Sequence, residues 1–345
     1  MSKTETIKKF ATRVLNMDGL EIGTPVFLDE VSFVPIIKHE IPKEERDYLT
    51  LSEALENKAC QITDKGTEIA HIIFQNLGDI PILIEEGEIF LGQGTQDRIC
   101  VGSVIVDPGT TMNISVKCVH APHHLSRGSS FIYGGKASRG LLDEMRTQKF
   151  YNASIGLGAS TISQFSVWNK VKEEMSNEKS VSDNSKYTLG IRARKGRVEK
   201  RSKKVKFPKN TIGVVAIDNK GAIKGVEIYR SPHNFNIRKD GIFESLETNI
   251  SWEPEGKGHF PNAEEKAKSM FVELSKLKEN KNTMKQIEID GLIINTEGLQ
   301  GEAFTTAFYS TFCPSCGEAK QRKKICPSCE FLEEVSEDVA YMSLF

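Results

Sequence analysis

The sequence is short of most features that would classify a chain at once. Its 345 residues include only two Trp, and 46 Lys and Arg against 47 Asp and Glu leave a net charge of −1. No stretch reaches the roughly 18 apolar residues that a spanning helix needs, so no membrane partner is expected. Residues 1–14 hold no apolar run of signal-peptide length, and the expected compartment is cytoplasmic. No strand leads through a Gly-rich loop into a helix, which argues against a Rossmann nucleotide site. Cysteine is sparse: of seven, four crowd into residues 313–329, unlike the even spread of a secreted disulfide framework. A net charge near zero would exclude polyanion binding only if the charge were evenly spread. Residues 192–209 hold ten Lys or Arg and one Glu, a local charge of +9 that leaves about −10 for the rest.

Patterning predicts an α+β fold. Ile7, Phe10, Ala11, Val14 and Leu15 recur at the spacing of one helix face. Thr50 and Glu53 have the spacing of a capping box, so a short helix should begin at Leu51. From Glu68 to Val119, short β-rich runs alternate with turn chemistry such as Asn76–Asp79, Glu86-Gly87 and Asp107-Pro108-Gly109, the pattern of an antiparallel sandwich or curled sheet. Helical spacing returns at 139–148 and 162–174, a hairpin is expected around Asp218–Gly221, and a better helix should follow Asn262. The expected architecture is an antiparallel β-sandwich-like core with flanking helices over 1–311, carrying a polar and basic insert at 175–209. A four-Cys zinc ribbon at 312–332 and a tail at 333–345 complete it.

The most specific motif is Cys313-Pro-Ser-Cys316, nine residues, then Cys326-Pro-Ser-Cys329. Each pair can offer two thiolates from one tight turn, and four thiolates satisfy tetrahedral Zn²⁺ with no position left open for a substrate water. The expected cofactor is therefore structural zinc. Two redox-active pairs would need a thioredoxin-like context that is missing. Between the pairs, residues 320–324 read as a basic hairpin tip, either solvated or in contact with phosphate or an acidic partner.

In the basic run, Arg192, Arg194, Lys195, Arg197, Lys200, Arg201, Lys203 and Lys204 are candidate polyanion contacts, for nucleic acid or an acidic protein. Phe207 is its only aromatic residue, so base stacking is not indicated. A solvated, flexible insert and docking on the acidic remainder are the competing readings.

Other candidate residues cluster in the β-rich part. Glu85, Glu86 and Glu88 flank Gly87; in one strand Glu86 and Glu88 would share a face and could bind metal or divide acid and base roles, whereas a solvated turn would do neither. Gln96 and Arg98 alternate likewise and offer a fork of donors to phosphate or carboxylate, or Arg98 simply pairs with a nearby Glu. Cys118 shares a face with Ile114 and Val116 and reads first as a buried thiol. His120, His123 and His124 around Pro122 could form part of a second metal site. Trp168, with Phe165 and Val171, reads as core.

Several strings occur in a telling order: Tyr48–Leu55, Asn76–Ile84, Glu86–Glu88, Gln96–Arg98, Ser103–Val106, Val116–Val119, Gln164–Trp168 and Ile212–Val215. Over roughly residues 15–310 the chain resembles the ARG and rhodanese-phosphatase-superfamily-associated protein domain, where ARG denotes ADP-ribosylglycohydrolase. The resemblance implies a link to NAD and ADP-ribose metabolism and a site for a nucleotide-like or phosphorylated small molecule. It assigns to that site Glu88, Gln96, Arg98, Cys118, His120 and Gln164, the last in a Gln-x-x-x-Trp pair with Trp168. His120 stands where the family commonly has Glu, so acid–base chemistry at that position does not carry over. Two function classes follow. One is binding or processing of such a molecule; the other is a non-catalytic zinc-binding adaptor whose basic insert and ribbon dock onto nucleic acid or a larger assembly.

Overall fold

The computed structural model describes the chain except residues 1, 41–46, 67, 120–125, 156, 158–160, 178–186, 247–257, 279–291, 297–298, 308–312, 321–322 and 345. It is an α+β fold built on antiparallel sheets. Among the described residues the largest sheet has eight strands. Two hairpin-like segments at its start, β1 (Leu20–Ile22) and β2 (Val26–Leu28), both pair with β3 (Val31–Lys38). From β3 the order runs through β13 (Thr211–Ile217), β14 (Ile223–Tyr229), β17 (Glu337–Leu344) and β16 (Leu299–Ala307) to β15 (Leu292–Thr296). The expected Asp218–Gly221 hairpin is the β13–β14 connection.

A second sheet of six strands curls on itself. It contains β5 (Cys60–Asp64), β6 (His71–Asn76), β8 (Glu88–Gly92), β9 (Arg98–Cys100), β11 (Thr111–Cys118) and β12 (Phe131–Lys136), in the order β12-β8-β9-β11-β6-β5. Its outer strands meet through a Thr63–Ser130 bridge, and Asp64 N–H donates to the Ser129 carbonyl at 2.8 Å, so the sheet is nearly a closed barrel. Phe74, Phe90, Ile114, Val116 and Phe131 fill its interior. One end is closed by β4 (Leu49–Thr50), β7 (Ile82–Ile84), β10 (Val104–Val106) and α2 (Leu51–Glu56), whose Thr50–Glu53 capping box forms as its spacing predicts.

Helices cover the sheets according to their apolar faces. On the large sheet, α1 (Lys3–Leu15) and α7 (Ala263–Ser275) bury Ile7, Phe10, Ala267 and Phe271 against one side, while Phe235 and Phe243 of α6 (Pro232–Leu246) pack on the other. The barrel's outer face, with Ile89, Ile99 and Val101, receives α3 (Arg139–Ser154) and α4 (Gln164–Asn177). On α4, Val171 is buried and Trp168 half-buried, but Phe165 points to solvent, so the expected core trio is incomplete.

Three expectations from sequence change here. The basic run is not a loop over its first half: Tyr187–Ser202 form α5, anchored by buried Tyr187, Ile191 and Val198, which supply the apolar face that the charges obscure. Residues 333–345 are not merely a tail, because β17 occupies the middle of the large sheet, between β14 and β16. Alternation explains the end of this strand, where Met342 and Leu344 bury on one side while Tyr341 and Ser343 face the other, and a register shift at Ala340 brings Val339 to the first side. The basic hairpin tip is also less exposed than expected. Lys320 is fully buried, paired with Glu333 and donating to the Lys323 carbonyl at 2.8 Å, whereas Lys323 and Lys324 are exposed. Gln321 and Arg322 lie outside the described residues, as do His120, His123 and His124 with their expected metal site.

Candidate functional site

Three clusters of reactive side chains stand out. The first is built by the turn at Glu86-Gly87. Gly87 has φ +81°, and a Cβ there would meet Leu142 Cδ2 at 2.4 Å, so the turn is pressed against α3. It separates the two carboxylates that strand periodicity would have put on one face. Glu86 receives Arg146 Nε and Lys149 Nζ of α3, each at 2.6 Å. Glu88 turns to Arg238 of α6 at 3.1 Å, and Glu85 binds the same guanidinium at 2.7 Å and Lys136 at 2.8 Å. From the large sheet, Glu302 pairs with Lys149 at 3.2 Å, and Glu227 accepts from Tyr341 at 2.9 Å and Ser343 at 2.8 Å. Arg139 reaches Leu344 O at 2.6 Å and lies 3.7 Å from Glu227.

All ten charged groups are buried, which rules out the solvated turn. A metal bridging Glu86 and Glu88 is equally unsupported, because each carboxylate has its own cation. Burial works against the charged form of Glu85, but Arg238 and Lys136 outweigh it and hold that carboxyl well below the usual range. Glu88 goes the other way, pushed up to about 7 by burial and by the charge of Glu85 beside it. Sequence reasoning missed Lys136, Arg139, Arg146, Lys149, Glu227, Arg238 and Glu302. A usable signal was present on α3, where Arg139, Arg146 and Lys149 fall at i, i+7 and i+10 on one helix face.

The second cluster sits at the barrel end opposite α2. Cys118, Arg98 and Phe90 lie opposite one another across three strands, so Arg98 and Cys118 both point inward. Arg98 donates through Nη1 to the Gln96 carbonyl at 2.9 Å and to Gln96 Oε1 at 3.3 Å. Gln96 Oε1 also accepts the Cys118 thiol proton at 2.8 Å. Burial pushes that thiol up to about 11, so it stays protonated and is no ready nucleophile. Gln164, the first residue of α4, clamps Cys118 from outside: its Oε1 accepts from Cys118 N at 2.9 Å and its Nε2 donates to Cys118 O at 2.7 Å.

Gln96, Arg98, Cys118 and Gln164 are thus brought together. Glu88 faces the same barrel interior, two residues from Phe90, yet its partners belong to the first cluster. Asp64, which sequence reasoning passed over, joins the second: its Oδ2 lies 3.6 Å from Arg98 Nη2 and accepts from Thr95. Arg98 is fully buried, and among the described residues neither its Nε nor its Nη2 has a hydrogen-bond partner. Trp168, one helical turn beyond Gln164, likewise keeps a buried indole N–H with no such partner.

The third cluster is the ribbon. The sulfurs of Cys313, Cys316, Cys326 and Cys329 lie within 4.8 Å of one another, with Cys313–Cys329 at 3.6 Å and Cys316–Cys326 at 3.7 Å. Four thiolates about 2.3 Å from one Zn²⁺ would stand about 3.8 Å apart, so the set fits a tetrahedral metal. The two halves repeat one turn. Gly317 N–H donates to Cys313 O and Glu330 N–H to Cys326 O, both at 2.9 Å, and both donors have positive φ.

Residues 19–304 match the ARG and Rhodanese-Phosphatase-superfamily-associated Protein domain. The chain belongs to this family. No curated protein and no solved structure matches it. The matched segment contains the second cluster and all ten charged groups of the first, while the four-Cys ribbon lies beyond it, as does β17, which completes the large sheet and brings Tyr341 and Ser343 to the first cluster.

Proposed function

We propose that the barrel end around Arg98 binds a nucleotide-like small molecule, linked to the ADP-ribose context that the family's description suggests, and that the ribbon holds a structural zinc ion. The observation that carries the first part is the fully buried Arg98, whose ion pair to Asp64 is long, at 3.6 Å, and whose Nε has no hydrogen-bond partner among the described residues. A buried donor without a hydrogen bond is costly, and a phosphate or carboxylate oxygen would supply it. Trp168, with its own unmatched N–H, stands on the helix that Gln164 ties to the site. The protonated thiol of Cys118 favours binding over nucleophilic turnover. With all four thiolates on the metal, zinc would hold the two turns together and leave no position for a substrate.

Titration calorimetry of the full chain with ADP-ribose tests this reading. Arg98→Met should weaken binding at least tenfold with the fold kept, and Arg98→Lys should recover only part. Absence of binding, or an Arg98→Met affinity equal to wild type, would overturn it. Elemental analysis should find one zinc per chain.

The exposed face of α5 supports a second reading, contact with an acidic partner or nucleic acid, because Arg192, Arg197 and Lys200 all face solvent. Such contact would weaken steeply with added salt. Lys195, Lys203 and Lys204 are exposed as well, Arg201 lies 3.8 Å from Asp29, and Arg194 lies on the same helix with its side chain outside the described set.

A further inference from the structure

The basic run does not present all its charge outward. After α5 the chain turns, with Lys204 N–H donating to Arg201 O at 2.9 Å and Val205 N–H to Ser202 O at 3.0 Å, and passes back over α6. A cleft of about 670 Å³ opens between α5, this return and α6. That volume suits a single compact ligand. Val198, Val205 and Phe207 form its apolar part. Phe207 is held in place by Phe235, edge-on at 5.3 Å, and by Phe243, near-parallel at 6.3 Å.

Four lysines line the same space: Lys195, Lys203, Lys206 and Lys239. Lys203 is occupied by Glu199 at 3.1 Å, whereas the other three make no ion pair among the described residues. Asp240, one turn before Glu244 on α6, faces them with Asn236 close by. The cleft therefore combines a half-buried aromatic ring, three uncommitted ammonium groups, and carboxylates able to accept from hydroxyl groups. A nucleic-acid strand fits this lining badly, since its backbone would pass Glu199, Asp240 and Glu244. Arg197 and Lys200, both exposed, lie outside the cleft.

We propose that the α5–α6 cleft is a binding site for a nucleoside diphosphate, with the base on Phe207, the phosphates among Lys195, Lys206 and Lys239, and the ribose hydroxyls toward Asp240 and Asn236. The proposal does not rest on the barrel-end site, and its test separates the two. The full chain is titrated with ADP and with inorganic pyrophosphate, as wild type, as the double variant Lys206→Gln/Lys239→Gln, and as Arg98→Met. The lysine substitutions sit at the cleft's rim and leave the core untouched; a matching thermal midpoint checks that the fold is kept. The expected result is one ADP bound at a lysine-dependent site, at least tenfold weaker in the double variant, unchanged in Arg98→Met, and tighter than pyrophosphate. Pyrophosphate binding as tightly as ADP would overturn the nucleoside assignment. ADP binding lost in Arg98→Met but kept in the double variant would remove the cleft and leave the barrel end standing. A single-stranded RNA displacing ADP at equal concentration, with the same loss in the double variant, would make the site a polyanion contact and overturn the proposal.

Discussion

The cluster behind Gly87 and the barrel end around Arg98 both bury charge, and they settle it differently. Behind Gly87, Glu85, Glu86, Glu88, Glu227 and Glu302 meet Lys136, Arg139, Arg146, Lys149 and Arg238, equal numbers of each sign drawn from the barrel, α3, α6 and the large sheet. Around Arg98 a single guanidinium makes one long ion pair, from Nη2 to Asp64 at 3.6 Å, and among the described residues its Nε has no hydrogen-bond partner. Balanced, many-sided pairing is what a joint between structural layers requires, because a lone buried ion would cost more than the contact returns. An incomplete set is what a ligand site requires, because the missing partner must come from outside. Burial alone therefore does not separate scaffold from site. The number and closeness of the ion pairs do.

The sharpest way to break this comparison is Lys149→Met. It strips Glu302 of its cation and leaves Glu86 with Arg146 alone, so denaturant unfolding should show a loss of about 3–5 kcal/mol. Adding Glu302→Gln should restore part of that loss. Next comes the ribbon metal. Chelation should loosen β17, which brings Tyr341, Ser343 and the Leu344 carbonyl to the first cluster. Hydrogen exchange should then rise about tenfold over residues 337–344, equivalent to about 1.4 kcal/mol, and stay unchanged over 96–118. Arg98→Met should cost clearly less stability than Lys149→Met, about 1–2 kcal/mol, since its partners are few and one pairing is long.

The smallest effect concerns pH. Because folding raises the Glu88 carboxyl to about 7, its contribution to stability is full below the ordinary carboxylate range and is lost as pH climbs toward 7. Glu85 and Glu86 act oppositely, since both are held low and lose their contribution as pH falls. Glu88→Gln should remove the first trend only. Relative to wild type, its unfolding free energy in denaturant should improve between pH 4.5 and pH 8, by on the order of 1 kcal/mol.

What could be read from the sequence follows the same division. The ribbon, the capping box at Thr50, the helix faces of α1 and α7 and the β13–β14 hairpin depend on neighbours close in sequence, and each was legible. The order of short motifs pointed to the family, and the barrel end carries four of the residues those motifs contain. The first cluster was not legible, because its logic lies between elements. In β14, Glu227 alternates with Val226 and Ile228, a pattern that normally marks a solvent face. Only the layer packed over that face makes it interior. The same holds for Glu86, whose turn chemistry is ordinary until α3 closes on it. In α5 the error ran the other way: dense charge hid three well-spaced apolar residues that hold the helix down.

The placement of β17 has a consequence for how the molecule assembles. Its neighbours β14 and β16 each present an unpaired edge until it arrives, and β14 meets it in a pairing of Val226 with Leu344, far apart along the chain. Such late, long-range closure is slow, and open edges are where chains adhere to one another. The ribbon lies in the connection between β16 and β17, so a bound metal would shorten that connection's effective length and hurry the closing strand into its slot. Starved of metal during refolding, the chain should aggregate before it misfolds in any other detectable way.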